Sequence, residues 1–313
     1  MSLRHAAARL VDTALDRTIV PGFSTIGYAV RRRLPTWPAD PSPGALAGAH
    51  VAVTGATSGL GAAVAERVSE LGGHVHLVVR DPGKADAVVQ ALPRSATVWT
   101  CDLSDLDSVR EVAAQIREAD VRLDAVVHNA GALPVTRTES AQNHELTMAI
   151  HVLGPVLLTD LLLDHLAPDA RVVLVTSGGM YAQALPVDDP DYREGEYAGV
   201  RAYARSKRTQ VELLPILAER WAPRVVSAMH PGWAATPGVT ASLPGFARVM
   251  GPVLRDPAVG TDTTVWLLAS TPAPPGGGLW MDRRERPTAV FGWKAASEVD
   301  RQRMWQWVRS AID

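Results

Sequence analysis

The stretch HVAVTGATSGLG, His50 to Gly61, decides how this chain folds. Val51, Ala52 and Val53 make a short apolar run whose branched residues suit a buried strand. Thr54 follows, and then Gly55, Gly59 and Gly61 in the spacing T-G-x-x-x-G-x-G. Directly after them, AAVAERVSELGG is built of good helix formers and stops at Gly72-Gly73. A strand that feeds a glycine turn and opens a helix lets the backbone approach a pyrophosphate. The helix N-terminus adds free N–H groups and a partial positive charge. The turn therefore predicts nucleotide binding, which glycines without that strand and helix would not do.

Outward from this stretch, strand and helix patterns alternate. Strands are expected at 51–54, 74–80, 97–101, 124–129, 171–177 and 225–230. Helices are expected at 60–71, 83–92, 104–118, 139–166 and 200–221. That alternation predicts an α/β fold whose parallel sheet is covered on both faces. The second strand, HVHLVVR, ends in Arg80, where an acidic residue would bind the ribose 2′-hydroxyl of NAD. An arginine there can pair with a 2′-phosphate or stand as a solvated charge.

Composition sets the outer bounds. With 313 residues, 47% apolar and 20% charged, the chain has the mass for a large core, as one α/β domain with extensions or two small domains. A net charge of −2 gives no electrostatic reason to expect a nucleic-acid partner. The single cysteine, Cys101, cannot form an internal disulfide and fits a reducing, cytoplasmic compartment. His74 and His76 share one strand face, but no third ligand is apparent beside them, so a satisfied surface pair is expected and no metal site.

Residues 1–45 form an arm that ends in a proline-rich linker, with Pro35, Pro38, Pro41 and Pro43. Ser2 to Arg17 is rich in alanine and arginine and suits a helix. Thr18 to Val30 is apolar but broken by Pro21, Gly22 and Gly27, too short to span a bilayer, and Arg31-Arg32-Arg33 follows. Two readings stay open: an arm packed on the domain or on a second subunit, or a peripheral contact with a membrane surface. Since residues 1–44 hold none of the motifs, their removal is expected to leave turnover within a few-fold.

Three later stretches turn nucleotide binding into chemistry. Asp102-Leu103 closes the third strand, where a carboxylate can accept from an adenine amino group, and Asn129-Ala130-Gly131 closes the fourth with a small-residue turn. Ser177 ends the fifth strand, and Tyr203 and Lys207 sit four apart in AYARSKRTQ, on one face of a helix. A nearby ammonium favours phenolate and draws a tyrosine, ordinarily at about 10, toward neutral pH. Ser177 can then donate to the carbonyl oxygen that becomes an alkoxide.

TGATSGLG, CDLSD, NAG, Ser177, YARSK and the HPGW of 230–233 stand in the order of the short-chain dehydrogenases/reductases, which the chain resembles from about residue 48 to about 285. GGHVHLVVRD, VTSGGMYAQ, YARSKRTQVEL, SAMHPGWAATPGV and the arm's IGYAVRRR are similar to the family's member-twelve branch and its bacterial relatives. The resemblance implies one Rossmann-type domain over 46–313, doubly wound in strand order 3-2-1-4-5-6-7, and hydride exchange between NADP(H), preferred over NAD(H), and a small apolar carbonyl or alcohol. It implies that Gly55, Ser58, Gly59, Leu60 and Gly61 take the pyrophosphate side. Arg80, Asp102, Leu103, Asn129, Ala130 and Gly131 would line the cofactor, and Pro231, Gly232, Trp233 and Thr236 would hold its nicotinamide end. Tyr203 would be the acid/base, Lys207 its electrostatic partner and ribose ligand, and Ser177 the substrate-orienting donor.

Segments 178–200, with Tyr181, Tyr192 and Tyr197, and 237–256 would form the pocket wall and lid, with Met180, Trp233, Leu243, Phe246 and Met250 near its mouth. The paired helices at 139–166 and 200–221 suggest a homodimer or homotetramer. One position departs from the family: His151 stands where a helix asparagine usually supports a water linked to the lysine. As an imidazole beside that relay, His151 is expected to make carbonyl reduction acid-sensitive below about pH 6.5. Burial against Leu153 and Leu157 would instead keep the ring neutral and move the fall to lower pH, and a ring that points away would only fill space. A non-catalytic NADP-binding protein is the other class, and it would have no need of Ser177, Tyr203 and Lys207 together.

Overall fold

Alternation along β1 (His50–Thr54) builds both halves of the core. Val51 and Val53 join the apolar cluster on one face of the sheet, and Ala52 joins the cluster on the other. The same division runs through β2 (His74–Val79), β4 (Leu123–His128) and β6 (Val225–Met229). A computed structural model describes residues 3–242, 244–290 and 295–313. Its sheet has the order β3-β2-β1-β4-β5-β6-β7-β8, with β3 at Ala96–Thr100, β5 at Leu166–Val175, β7 at Leu279–Met281 and β8 at Arg284–Arg286. Every pairing is parallel except β7 with β8. This is the expected doubly wound order, extended by one antiparallel edge strand.

The arm forms α1 (Leu3–Asp16), α2 (Ile19–Phe23) and α3 (Thr25–Arg32). Within the domain, α4 (Gly59–Glu70), α5 (Asp86–Ala91) and α6 (Leu106–Glu118) follow the first three strands. Next come α7 (Leu146–Met148), α8 (Gly154–Leu162), α9 (Gly199–Glu212) and α10 (Leu214–Arg220). The chain then forms α11 (Pro237–Ser242), α12 (Pro244–Met250), α13 (Pro257–Gly260), α14 (Asp262–Ala269) and α15 (Glu298–Ile312).

The helix expected from residue 139 starts only at Leu146. Asn143 has φ of +63°, and a Glu139–Glu145 bridge closes a turn there instead. Between α7 and α8 lies a π-helical turn, Ala149–Leu153, that carries His151. The run Leu146–His165 is long and apolar enough to cross a membrane by composition, yet most of it is buried in the fold. The other expected long helix divides at Leu213, just before Pro215, into α9 and α10.

The helix pair expected to be free for assembly is covered by the chain's own C-terminus. Met304, Val308 and Ile312 of α15 enter the core cluster that holds α6, α8 and α9. Arg301 pairs with Glu212 at 2.9 Å, Arg309 with Asp160 at 3.0 Å, and Arg110 donates to the Ile312 carbonyl at 2.8 Å. That face is closed within one chain.

The arm is not a separable appendage either. Its α1 covers the sheet edge, where Asp12 and Asp16 pair with Arg284 and Arg286 of β8. The proline-rich linker is pinned as well, since Arg283 donates to the carbonyls of Pro38 and Ala39 and lies over the Trp37 ring.

At the end of the sheet where β1 and β2 begin, the register sets His50 beside His74, and His76 lies on the same face. The third imidazole that the sequence seemed to lack is therefore His50, brought in by strand pairing; each of the three rings offers a nitrogen within 4.8 Å of the others. Trp99 donates to His76 Nδ1 at 3.0 Å, which leaves the His76 proton on Nε2, facing His50 Nδ1 at 2.9 Å. Burial, with the two other imidazoles, pushes His76 down to about 3, so its ring is neutral.

Candidate active site

At the opposite end of the sheet, the strand ends open into a cleft of about 860 Å³. Gly55 begins its floor with φ of +66°, and a Cβ there would come within 2.7 Å of the Ala130 backbone. Thr54 explains that closeness. Its Oγ1 accepts from the backbone N–H of both Asn129 and Ala130 at 3.0 Å, and Asn129 Nδ2 donates back to the Thr54 carbonyl at 3.0 Å. The glycine turn after β1 and the turn after β4 are thus tied into one surface.

Ser58, Gly59 and Leu60 line the cleft where α4 begins, and Arg80, Asp102 and Leu103 line it at the ends of β2 and β3. Asn129, Ala130 and Gly131 lie between these and the reactive end, where Ser177, Tyr203 and Lys207 meet Gly232, Trp233 and Thr236. Three expected site residues lie outside the lining. Gly61 packs behind it, against the Gly55 carbonyl and Asn129. Pro231 turns its carbonyl to Arg255, and His151 is buried behind Tyr203. Thr57 and Lys84 line the cleft without having been expected. The available signal for Lys84 was a second basic residue four positions after Arg80.

The reactive group is assembled by α9 and the end of β5. Ser177 and Tyr203 line the same end of the cleft, and the Ser177 hydroxyl acts to lower the pKa of the Tyr203 phenol. Lys207, one turn further along α9, is almost fully buried; its Nζ donates to the Val175 carbonyl at 2.8 Å and lies 5.7 Å from the centre of the Tyr203 ring. The electrostatics differ from the simple lysine–phenolate expectation. Burial raises the Tyr203 phenol above its ordinary value, and the Ser177 hydroxyl opposes this. Burial also pushes Lys207 down to about 7.

His151 meets Tyr203 edge to face, with ring centres 5.2 Å apart. The Ala132 N–H donates to its Nε2 at 3.2 Å, which puts the ring proton on Nδ1, facing Ser206 Oγ at 2.7 Å. Ser206 in turn donates to the Tyr203 carbonyl at 2.8 Å. Gln210 donates to the His151 carbonyl at 2.7 Å. Burial first, and then Lys207, hold the imidazole well below its ordinary value. His151 is a buried ring braced behind the tyrosine, and burial favours its neutral form.

Both segments expected to wall the cleft line it, Phe246 with the side chain expected and the rest through others. Ala182, Gln183, Ala198 and Val200 line the cleft from the first, and Pro237, Ser242 and Phe246 from the second. Tyr181, Tyr192 and Tyr197 are engaged elsewhere, through hydroxyl bonds to the Pro287 carbonyl, the Glu196 carbonyl and Glu145. Met180 is wholly buried beside Arg208, and Met250 does not line the cleft. Leu243 lies outside the described residues.

Comparison with known proteins agrees with this geometry. The profile of the short chain dehydrogenase family matches residues 49–244. Dehydrogenase/reductase SDR family member 12 of Bos taurus is 37% identical over 75% of this chain and 77% of its own length. The candidate daunorubicin C-13 ketoreductase DnrU of Streptomyces sp. (strain C5) is 32% identical over 79% of this chain and 87% of its own. Among solved structures, a candidate NAD(P)-dependent gluconate 5-dehydrogenase from Beutenbergia cavernae, with NADP bound at low occupancy, superimposes with a TM-score of 0.61 at 25% identity, covering 77% of this chain and 97% of that one. The glycine turn, the strand order and these matches agree, and the chain belongs to the short-chain dehydrogenase/reductase family, NAD(P)-dependent oxidoreductases that act on CH–OH groups.

Proposed function

We propose that the protein interconverts an apolar ketone or aldehyde and its alcohol with NADP(H), using Tyr203 as the acid/base. The observation that carries this reading is the convergence of Ser177, Tyr203 and Lys207 on the same cleft as the glycine turn. The cofactor fits the residues present. The positive φ at Gly55 opens a cradle that a side chain would close, and the N-terminus of a 12-residue helix, α4, points into it. Ser58, Gly59 and Leu60 would hold the pyrophosphate and Asn129 the ribose, while Arg80 and Lys84 offer cations for a 2′-phosphate. The Beutenbergia relative with NADP bound supports that choice.

When bound, the nicotinamide supplies or takes up the hydride. Tyr203 gives a proton to the carbonyl oxygen, and its raised pKa keeps the phenol protonated for that task. Ser177 donates to the same oxygen as it gains charge. Lys207 stands one helical turn away, where its ammonium favours the phenolate left behind and can reach the ribose. Leu133, Ile150, Trp233 and Phe246 give the cleft an apolar wall and favour an apolar substrate.

The test is loss of NADPH absorbance with a panel of apolar ketones and aldehydes. Tyr203→Phe is expected to lower turnover at least about a hundredfold, with NADPH affinity nearly unchanged. A Phe variant at the wild-type rate, or reaction with charged hydrophilic carbonyls alone, would reject the proposal.

A further inference from the structure

Helix α1 is turned inside out for a helix on a soluble protein. Its carboxylates, Asp12 and Asp16, face the domain, where Asp12 is 4% exposed and both pair with arginines. The opposite side carries Ala7, Leu10, Val11 and Ala14, at i, i+3, i+4 and i+7, all exposed. Ile19, Val20 and Pro21 of α2 and Ile26 of α3, the next elements of the arm, are exposed as well. Among the described residues, ten large apolar side chains are exposed, and Leu10, Val11, Ile19, Val20 and Ile26 are half of them. Scattered apolar residues need no explanation, but this concentration in one short segment does.

The charges around it have one sign. Arg4 flanks the stripe on α1, Arg9 stands on the helix side that carries Asp12 and Asp16, Arg17 follows the helix, and Arg32 and Arg33 end α3, all exposed. Only Arg32 among these has an acidic neighbour, Asp40 at 3.9 Å. The arm's two acids are consumed inside the fold, so residues 4–33 show the solvent no free carboxylate to balance those arginines.

We infer that the outer face of the arm docks on an anionic lipid bilayer. Apolar side chains enter the interfacial region while the flanking arginines meet lipid phosphates. A second copy of the chain fits less well, because a two-fold interface sets the patch against itself and brings arginine to arginine. The arm also reaches the cleft. Phe23 meets Trp233 edge to face with ring centres 6.0 Å apart, and Trp233 meets Phe246 likewise at 5.2 Å. On the function proposed above, docking brings the cleft mouth near the phase where an apolar substrate dissolves.

The experiment is sedimentation of the full-length protein with vesicles of phosphatidylcholine alone and of phosphatidylcholine doped with phosphatidylglycerol. Binding is expected to the doped vesicles only and to weaken with added salt. Leu10→Ser/Ile19→Ser/Val20→Ser and, separately, Arg4→Gln/Arg9→Gln/Arg17→Gln should each lower partitioning by about tenfold or more. Both sets are exposed, so melting and turnover of a water-soluble carbonyl should stay at wild-type values. No binding to doped vesicles, or binding unchanged in both variants, overturns the inference. So does a wild-type dimer that the serine variant dissociates. Vesicle binding without any carbonyl reduction leaves the inference standing and defeats the proposed function instead.

Discussion

The backbone N–H of Trp233 donates to the Phe23 carbonyl at 2.8 Å, so the loop at the nicotinamide end of the cleft hangs on the arm. Beneath it lies a buried ion cluster in which Asp282 accepts from Arg31 at 2.6 Å and from Arg255 at 2.6 and 2.9 Å. Arg255 fills the space beside Gly232, where φ is +76° and a Cβ would meet the guanidinium at 2.3 Å.

Losing Arg31 leaves Asp282 to Arg255 alone and Asp12 to Arg284 and Arg286, and removes a buried positive charge from the cluster. Removing one partner of such a cluster costs about 3–5 kcal/mol, a large share of a domain's net stability. Arg31→Met is expected to lower the urea midpoint accordingly, and removal of residues 1–44 to abolish folded, active protein. The milder Phe23→Ala should fold and lose turnover through the Trp233 loop. A truncated chain with turnover within a few-fold of wild type would falsify this account.

Cofactor choice should depend on two cations. Arg80 and Lys84 both line the adenosine side of the cleft, with Asp81 beside Lys84 at 3.4 Å. A charge-assisted hydrogen bond to a 2′-phosphate is worth about 1.5–3 kcal/mol, so Arg80→Ala should weaken NADPH about tenfold or more and leave NADH nearly unchanged. Lys84→Ala should act in the same direction and less strongly. Titration calorimetry with both cofactors checks this; equal affinities for them in the wild type would reject it.

These two cases show where the sequence was informative. The glycine turn, the strand ends and the four-residue spacing of Tyr203 and Lys207 are local, and local geometry is readable from spacing. The Arg31–Asp282 pair joins the arm to the last turn of the sheet, and no pattern in either segment names its partner. Tyr192 and Tyr197 looked like pocket residues because they sit in the lid segment. Arg137 donating to the Tyr192 carbonyl at 3.1 Å and Tyr197 bonding Glu145 turn them away, through contacts far apart in sequence. His50 joined the other imidazoles only through strand register, and Pro155 gave no hint of the π turn that seats His151.

The C-terminal helix should keep the protein from assembling through α8 and α9. Burying Met304, Val308 and Ile312 is worth roughly 1.5–3 kcal/mol each. Light scattering on the full chain should find no assembly that covers α8 and α9, and removal of residues 297–313 should give larger species or loss of fold. Protection of α8 and α9 by a second subunit, seen by hydrogen exchange in the full chain, would contradict this.

Acid should act on stability before it acts through His151 on catalysis. Burial is the first cause that holds His128 and His230 down at about 3, and His151 also lies well below its ordinary value. In the unfolded chain each of these imidazoles titrates near pH 6.5. Below that pH, and above the folded values, the unfolded state binds more protons, so stability falls as pH falls. Each such histidine adds a slope of about 1.4 kcal/mol per pH unit in that window. His151→Asn removes one of them and should make the acid-side loss of stability shallower by that amount. The pH–rate profiles of wild type and His151→Asn on one substrate should share the same acidic limb, because the wild-type ring stays neutral there. An acidic limb that moves with the substitution, while the stability slope does not, would place a titrating His151 beside the proton path after all.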